Sequence, residues 1–291
     1  MLTETPVVAV TGASGYLGSR ICSTLESRGW QVIRLVRSPG QNISPEFSYN
    51  LAEPITDGLR QALRSADVLI HAAYDLSLTS AVDIWRVNVE GTRRLLEEAS
   101  EVAVGRIIVM SSMSAFDGTS QLYGRAKLDI EAMTKEFGGC AVRPGLVYGT
   151  GSGGMAGALR KLTTLPIVPV VAGTAGVYTV REDDLMMAIY ALTSAPTLTP
   201  GTISVAHPTR VTLTDLLKVF AAQEGHRCRL FPVPWQLAYW LLRSAEFSRL
   251  HLSFRADSLL GLIHTASSLI GVDQLNRLGV TLHAFSAADS P

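Results

Sequence analysis

Charge is scarce in this 291-residue chain: 17% of its side chains are Asp, Glu, Lys or Arg, and 25 basic residues balance 25 acidic ones. A chain with no net field attracts neither nucleic acid nor an anionic membrane from a distance, so no nucleic-acid partner is expected and anion recognition has to be local. Cysteine is also sparse. Cys22, Cys140 and Cys228 are odd in number, far apart and set in apolar surroundings, which excludes a disulfide framework, offers no metal spacing and suits buried free thiols in a reducing cytoplasm. A long hydrophobic run is missing too. The start, MLTETPVVAVTGASG, has no basic region followed by an apolar stretch, so a secretory signal is not expected. The segment VPWQLAYWLL is about half the roughly 20 residues needed to span a bilayer, and Arg243 follows it directly. It reads as a buried or surface-docking helix, with peripheral membrane contact as the minor alternative and no integral membrane segment.

With 47% hydrophobic residues, the chain can bury a sizeable core as one domain, or as one plus a smaller lobe. Short apolar runs alternate with longer segments of helical period, as in a parallel sheet covered by helices. VVAVTG, QVIRLVR, FSYNL, DVLIHAA, RIIVMSS and CAVRPG read as six strands. Tyr16 to Arg28, Ala81 to Ser100 and Leu122 to Phe137 read as helices. After Tyr148 the alternation gives way to the Gly-rich GTGSGGM and the Pro-punctuated PIVPVVAG, where the chain is expected to leave the sheet. The fold expected is α/β: a Rossmann-type doubly wound parallel sheet with a smaller, discontinuous C-terminal substrate lobe. Residues 1–150 form the dinucleotide-binding domain, its sheet completed by a strand near 202–205. Residues 151–291 form mainly the lobe, drawn chiefly from beyond about 208.

In TGASGYLG, Gly12, Gly15 and Gly18 sit between an apolar strand and an amphipathic helix. Glycine permits the tight turn, lets backbone approach a pyrophosphate and brings helix and strand close, while the helix N-terminus favours negative charge. Ser14, Tyr16 and Leu17 belong to the same candidate cofactor-binding loop. A plain strand-to-helix turn is the bland alternative. Arg37 ends the second strand where NAD-preferring sites carry an acid for the ribose hydroxyls. A guanidinium suits a 2′-phosphate, so NADP is the cofactor expected and NAD the alternative. Arg20, one turn into the helix, is a second candidate phosphate contact or an exposed helix position.

Tyr123 and Lys127, four residues apart, share a helix face. An ammonium near a phenol favours the phenolate, which is expected to lower the tyrosine pKa toward the range of a general acid/base. Ser111, Ser112 and Ser114 lie where the fifth strand ends, at the carboxyl edge where ligands bind in open α/β sheets. A serine there can hydrogen-bond the reacting oxygen.

Together these segments resemble the extended short-chain dehydrogenase/reductase family, of the NAD-dependent epimerase/dehydratase type. TGASGYLG, DVLIHAAYD, NVEGTRRLLEEA, YGRAK and VRPGLVYG are similar to five family motifs in family order, covering roughly the first 150 residues. The resemblance implies that Tyr123 is the acid/base and that Lys127 binds the nicotinamide ribose and tunes the tyrosine. It also implies that Asn50, Leu51, Ala72 and Ala73 line the adenosine pocket, that Pro144 to Val147 flank the nicotinamide, and that Asn88 supports backbone and a water chain. Counting back from Phe116-Asp117 selects Ser112 as the catalytic serine, with Ser111 and Ser114 in reserve. Leu146 stands where sugar-nucleotide epimerases and dehydratases commonly carry Asn, which favours an apolar substrate. The Trp, Tyr and Leu residues between Pro234 and Leu242 supply an apolar wall if they face the cleft, or pack within the lobe. The leading expectation is an NAD(P)-dependent reductase or dehydrogenase of a small carbonyl compound. The alternatives are a sugar-nucleotide epimerase/dehydratase that retains its cofactor, and a non-catalytic dinucleotide sensor. Family members often form homodimers through the two long helices.

Overall fold

The apolar runs are rich in Val, Ile and Leu, which suit strands buried on both faces. In the computed structural model they form a parallel sheet covered by helices. The structure describes residues 5–40, 45–149, 153–171, 176–247 and 256–286. The first half runs β1 (Val7–Thr11), α1 (Tyr16–Glu26), β2 (Gln31–Val36), β3 (Glu46–Ser48), α2 (Asp57–Arg64) and β4 (Val68–His71). Next come α3 (Ala81–Ile84), a π-helical turn (Trp85–Val89), α4 (Glu90–Glu101), β5 (Arg106–Met110), α5 (Leu122–Glu136) and β6 (Cys140–Pro144). The segment expected as one helix from Ala81 to Ser100 is therefore continuous but carries a π turn. α1 stops at Glu26, where Ser27 and Gly29 turn the chain into β2.

Beyond β6 the chain alternates between lobe and sheet. β7 (Leu146–Tyr148), α6 (Gly154–Leu162) and β8 (Ile167–Val171) lead outward; β9 (Val177–Arg181), α7 (Glu182–Ser194) and β10 (Gly201–Val205) return. β11 (Arg210–Val211), α8 (Leu213–Gln223), β12 (Arg229–Val233), α9 (Trp235–Phe247), α10 (Ala256–Ile263) and α11 (Val272–Arg277) follow. The main sheet has the order β10-β6-β5-β4-β1-β2-β3, all parallel, so the strand near 202–205 does complete it. β9 joins β7 and β11 in a three-stranded sheet, and β12 pairs with β8.

Side-chain alternation along the strands feeds two cores. Val8, Val10, Ile70, Ile108 and Val142 meet Ile21 and Leu25 of α1 and Leu185, Ile189 and Leu192 of α7. Ala9, Leu69 and Val109 face the other way, toward Leu95 and Leu96 of α4 and Ala126 and Ile130 of α5. A third core lies in the lobe, where Leu159 and Val168 pack with Leu216, Leu217 and Phe220. Residues 154–171 thus contribute to the lobe as fully as those beyond 208. In the GTGSGGM loop, 150–152 lie outside the described residues. The strand order reverses between β1 and β4, which opens a crevice at their carboxyl ends. TGASGYLG, DVLIHAAYD, RIIVMSS and VRPGLVYG all run off the carboxyl ends of β1, β4, β5 and β6 there.

Candidate active site

At the crevice, Gly12 takes φ +65°, and a Cβ there would lie 2.9 Å from the Ala73 backbone nitrogen. A Cβ on Gly18 would lie 2.1 Å from the Gly12 carbonyl oxygen, so neither position tolerates a side chain. Gly15 is the N-cap of α1 with no side-chain cap, and the first turn holds no acid. The helix therefore presents N–H groups that a bound anion can satisfy. Arg37, exposed just beyond β2, makes no hydrogen bond or ion pair among the described residues. Ser77 first, and Arg37 after it, hold the Asp75 carboxyl below its ordinary range. This cradle fits a dinucleotide: close backbone, a helix terminus and an exposed guanidinium.

The other loop candidates divide. Ser14 is exposed beside the turn, whereas Leu17 packs into the core behind α1. The Tyr16 hydroxyl donates to the Glu182 carboxylate, its ring lies against Gly153, and burial pushes its pKa up. Arg20 ion-pairs with Glu182 at 3.1 Å, so the second candidate phosphate contact is tied to α7. Asn50 folds onto its own turn, donating to Glu53 (2.6 Å) and accepting from the Ala52 amide (3.1 Å). Leu51 is buried, and its carbonyl accepts from Arg94.

Between β1 and β4 runs a directed chain of hydrogen bonds. Thr11 Oγ1 accepts from the Ala72 and Ala73 amides, each at 3.1 Å, so its own proton goes to His71 Nδ1 at 2.7 Å. The proton on Nε2 then goes to Thr92 Oγ1 at 2.9 Å, which donates to the Asn88 carbonyl. Complete burial first, and Lys127 second, hold the His71 pKa down to about 3, consistent with this neutral tautomer. Asn88, in the π-helical turn, clamps the Asp75 backbone through both its amide atoms.

On the other side of the crevice, Tyr123 opens α5, and Ser112 lies near its phenol and counteracts the rise in pKa that burial imposes. Ser111 points elsewhere and donates to the Glu131 carboxylate. Ser114 is buried where Gly261 of α10 packs against its hydroxyl, and its amide donates to Ser112 Oγ at 3.1 Å. Of the three serines, Ser112 is the one that acts on the phenol's pKa, while Ser111 is taken by Glu131. Lys127 is buried, donates to the Met110 carbonyl at 2.7 Å and lies 5.9 Å from the Tyr123 ring centre and 4.5 Å from that of Tyr74. Tyr74 meets Tyr123 edge-on, with ring centres 5.1 Å apart.

The expected charge relation between lysine and phenol needs correcting. Burial pushes the Tyr123 pKa up and Ser112 alone counteracts it, while burial drives Lys127 down to about 7 against the pull of Glu131. Around Lys127, Nζ is bonded to the Met110 carbonyl and lies over the Tyr74 ring, so desolvation dominates. Pro144 and Val147 border the same edge, in register with Val205 and Val180. Leu146 packs against the lobe core. On α9, Leu237, Trp240 and Leu241 are exposed, and Trp235 packs edge-on against His264. Cys22 and Cys140 are buried as expected, but Cys228 is only half-buried because it lies on the lobe surface before β12.

Sequence reasoning gave no role to Tyr74, Thr11, His71, Thr92, Glu131 or Arg143. Tyr74 and His71 lie inside DVLIHAAYD, and Glu131 is one helical turn beyond Lys127. Their contacts come from strand pairing, which no local pattern shows.

Residues 8–165 match the NAD dependent epimerase/dehydratase family. The chain is 28% identical over 236 residues to a ceramide reductase of Caulobacter vibrioides, covering 78% of this chain and 74% of that protein. Of two further curated relatives it spans 62% and 22% of their length. Its fold is like that of MoeE5 in complex with UDP-glucose and NAD (TM-score 0.72, 20% identity, 97% of this chain and 95% of that one). It is also like the terminal R domain of the myxalamid PKS-NRPS pathway (TM-score 0.77, 18% identity, 99% and 89%).

Proposed function

The chain belongs to the NAD dependent epimerase/dehydratase family, and on that premise we propose that it is an NADP-dependent reductase of an apolar carbonyl compound. The observation that carries the reading is the convergence of Tyr123, Ser112 and the buried Lys127 at the crevice edge, with Lys127 Nζ 5.9 Å from the Tyr123 ring centre and Ser112 counteracting the rise in the phenol's pKa. Gly12, Gly15, Gly18 and the start of α1 hold the pyrophosphate in this assignment, with Ser14 at the turn. Ala72, Ala73, Asn50 and Leu51 border the adenosine, Arg37 receives the 2′-phosphate, and Pro144 and Val147 border the nicotinamide. When bound, the nicotinamide supplies the hydride. Tyr123 gives its proton to the substrate oxygen, Ser112 steadies that oxygen, and Lys127 holds the ribose and draws the phenol toward proton release once it is charged. Burial alone makes the phenol a weaker acid, so proton release depends on the bound, charged site around Lys127 and Ser112. The lobe around α6, β8 and α8 is assigned to the substrate.

Leu146 in the lobe core and the reductase relative both favour an apolar substrate over a nucleotide sugar. The epimerase reading remains the competitor because the family's description includes it and MoeE5 holds UDP-glucose together with NAD. Purified protein supplied with NADPH and a panel of apolar ketones and aldehydes should consume reduced nicotinamide in proportion to the alcohol formed. Retained cofactor, with nucleotide sugars interconverted and no net change in nicotinamide absorbance, would overturn the reductase reading. Arg37→Asp should shift preference from NADP to NAD by about one to two decades, since a charge-assisted hydrogen bond contributes roughly 1.5–3 kcal/mol. Equal affinity of the unmutated protein for both cofactors would refute the role of Arg37. Homodimerisation through α3, α4 and α5 belongs to the same reading, and light scattering tests it.

A further inference from the structure

Charge balance over the whole chain hides a local asymmetry. Between Glu224 and Glu246 stand Arg227, Arg229 and Arg243 and no acidic residue. The same stretch holds much of the exposed apolar surface: Phe231 is 60% exposed, Leu237 51%, Trp240 65% and Leu241 63%. Leu237, Trp240 and Leu241 are spaced i, i+3, i+4, so they share one face of α9. Phe231 shares the outer face of the two-stranded β8–β12 sheet with its neighbours. In that register Arg229 lies opposite Ile167, itself 61% exposed, and Phe231 lies opposite Pro169. Pro234 joins this sheet directly to α9. Apolar surface of this kind is unusual on a soluble face, and tryptophan with leucine and arginine is what a lipid interface accommodates.

The patch also stands close to the chemistry. α9 packs on α10 through Trp235 and His264, whose ring centres are 5.7 Å apart. The Gln121 side chain at the start of α5 donates to the carbonyls of Leu260 and His264. The Ala266 amide donates to the Met113 carbonyl at 2.9 Å, next to Ser112. One helix layer, α10, thus separates the exposed helix from the Ser112–Tyr123 pair.

We propose that α9 and the outer face of β8–β12 dock on an anionic lipid bilayer, placing the active-site crevice where it can take an apolar carbonyl compound from the membrane. The apolar anchors enter the interface, and Arg227 and Arg229 meet anionic headgroups. Only the identity of the delivered molecule rests on the reductase reading; the docking itself does not.

The full chain should be sedimented with vesicles of phosphatidylcholine alone and of equimolar phosphatidylcholine and phosphatidylglycerol, without substrate. It should bind the anionic vesicles more strongly than the neutral ones, and added salt should weaken that binding. The double variant Trp240→Glu, Leu241→Glu and the double variant Arg227→Glu, Arg229→Glu should each lose at least about tenfold in vesicle affinity. Because these side chains are exposed, both variants should keep the circular dichroism and cofactor binding of the parent. Met187→Glu, at an exposed apolar position on α7, should bind as the parent does. Absence of vesicle binding by the parent, or binding that neither double variant weakens, overturns the proposal. So does a dimer that Trp240→Glu dissociates, since a second copy would then cover the patch. Vesicle binding that persists while no carbonyl compound consumes NADPH would count against the reductase alone.

Discussion

At the scale of single residues, the site separates groups that move protons from groups that hold them in place. Tyr123→Phe removes the donor but leaves the glycine cradle untouched. Turnover should fall by about a hundredfold or more with cofactor affinity nearly constant, because general acid catalysis typically supplies that much. Ser112→Ala should cost more turnover than Ser111→Ala or Ser114→Ala, since Ser112 is the serine that acts on the phenol's pKa. Steady-state kinetics of the four variants checks both statements, and the reverse serine ranking would show that another hydroxyl steadies the substrate. Lys127 carries a sign that can be measured. Its pKa in the folded protein is lowered from 10.5 to about 7, so its contribution to stability is fully present above 10.5 and is lost as pH falls toward 7. The stability difference between parent and Lys127→Met should therefore change in the parent's favour as pH rises from 7 to 10. At pH 8 the lysine is mostly neutral. Binding of a dinucleotide anion should recharge it, and calorimetry in buffers of different ionisation enthalpy should show proton uptake that Lys127→Met abolishes.

At the scale of elements, α5 is fixed by a buried network as well as by apolar packing. Glu131 receives two bonds from Arg143 of β6 at 2.7 and 2.6 Å, a third from Ser111 and a fourth from Thr202 of β10. Arg143→Met would strand the carboxylate and should cost about 3–5 kcal/mol in denaturant unfolding. Glu131→Leu combined with Arg143→Met should cost clearly less, since no buried charge is left unpaired. Equal losses would mean that the pair itself, and not its integrity, stabilises the helix. The network also shows where legibility from sequence ends. Glycine spacing, the Tyr123–Lys127 interval and strand-length apolar runs are local, so the crevice and most of its lining could be read directly. Which of three serines faces the phenol depends on the pairing of β5 with β6 and on Glu131 claiming Ser111. Whether α9 turns its aromatics inward or outward depends on what α10 leaves uncovered, and both inward and outward readings fit an amphipathic helix.

At the scale of the molecule, the cofactor half is not one continuous stretch of chain. Its sheet ends in β10, and one of its two faces is covered by α7, both contributed after the first lobe segment. A fragment ending at Tyr148 would leave β6 as an edge strand and uncover Ile21 and Leu25. It should fail to give the parent's cooperative thermal transition, whereas a fragment ending beyond β10 should recover more of it. A stable, dinucleotide-binding 5–148 fragment would contradict this account. The same interleaving has a consequence during synthesis. Tyr16 and Arg20 share Glu182 as their partner, so the first helix to leave the ribosome waits for a residue added 166 positions after Tyr16. Until then its apolar face is exposed to chaperones and proteases, and the nascent chain's survival depends on how quickly translation reaches α7.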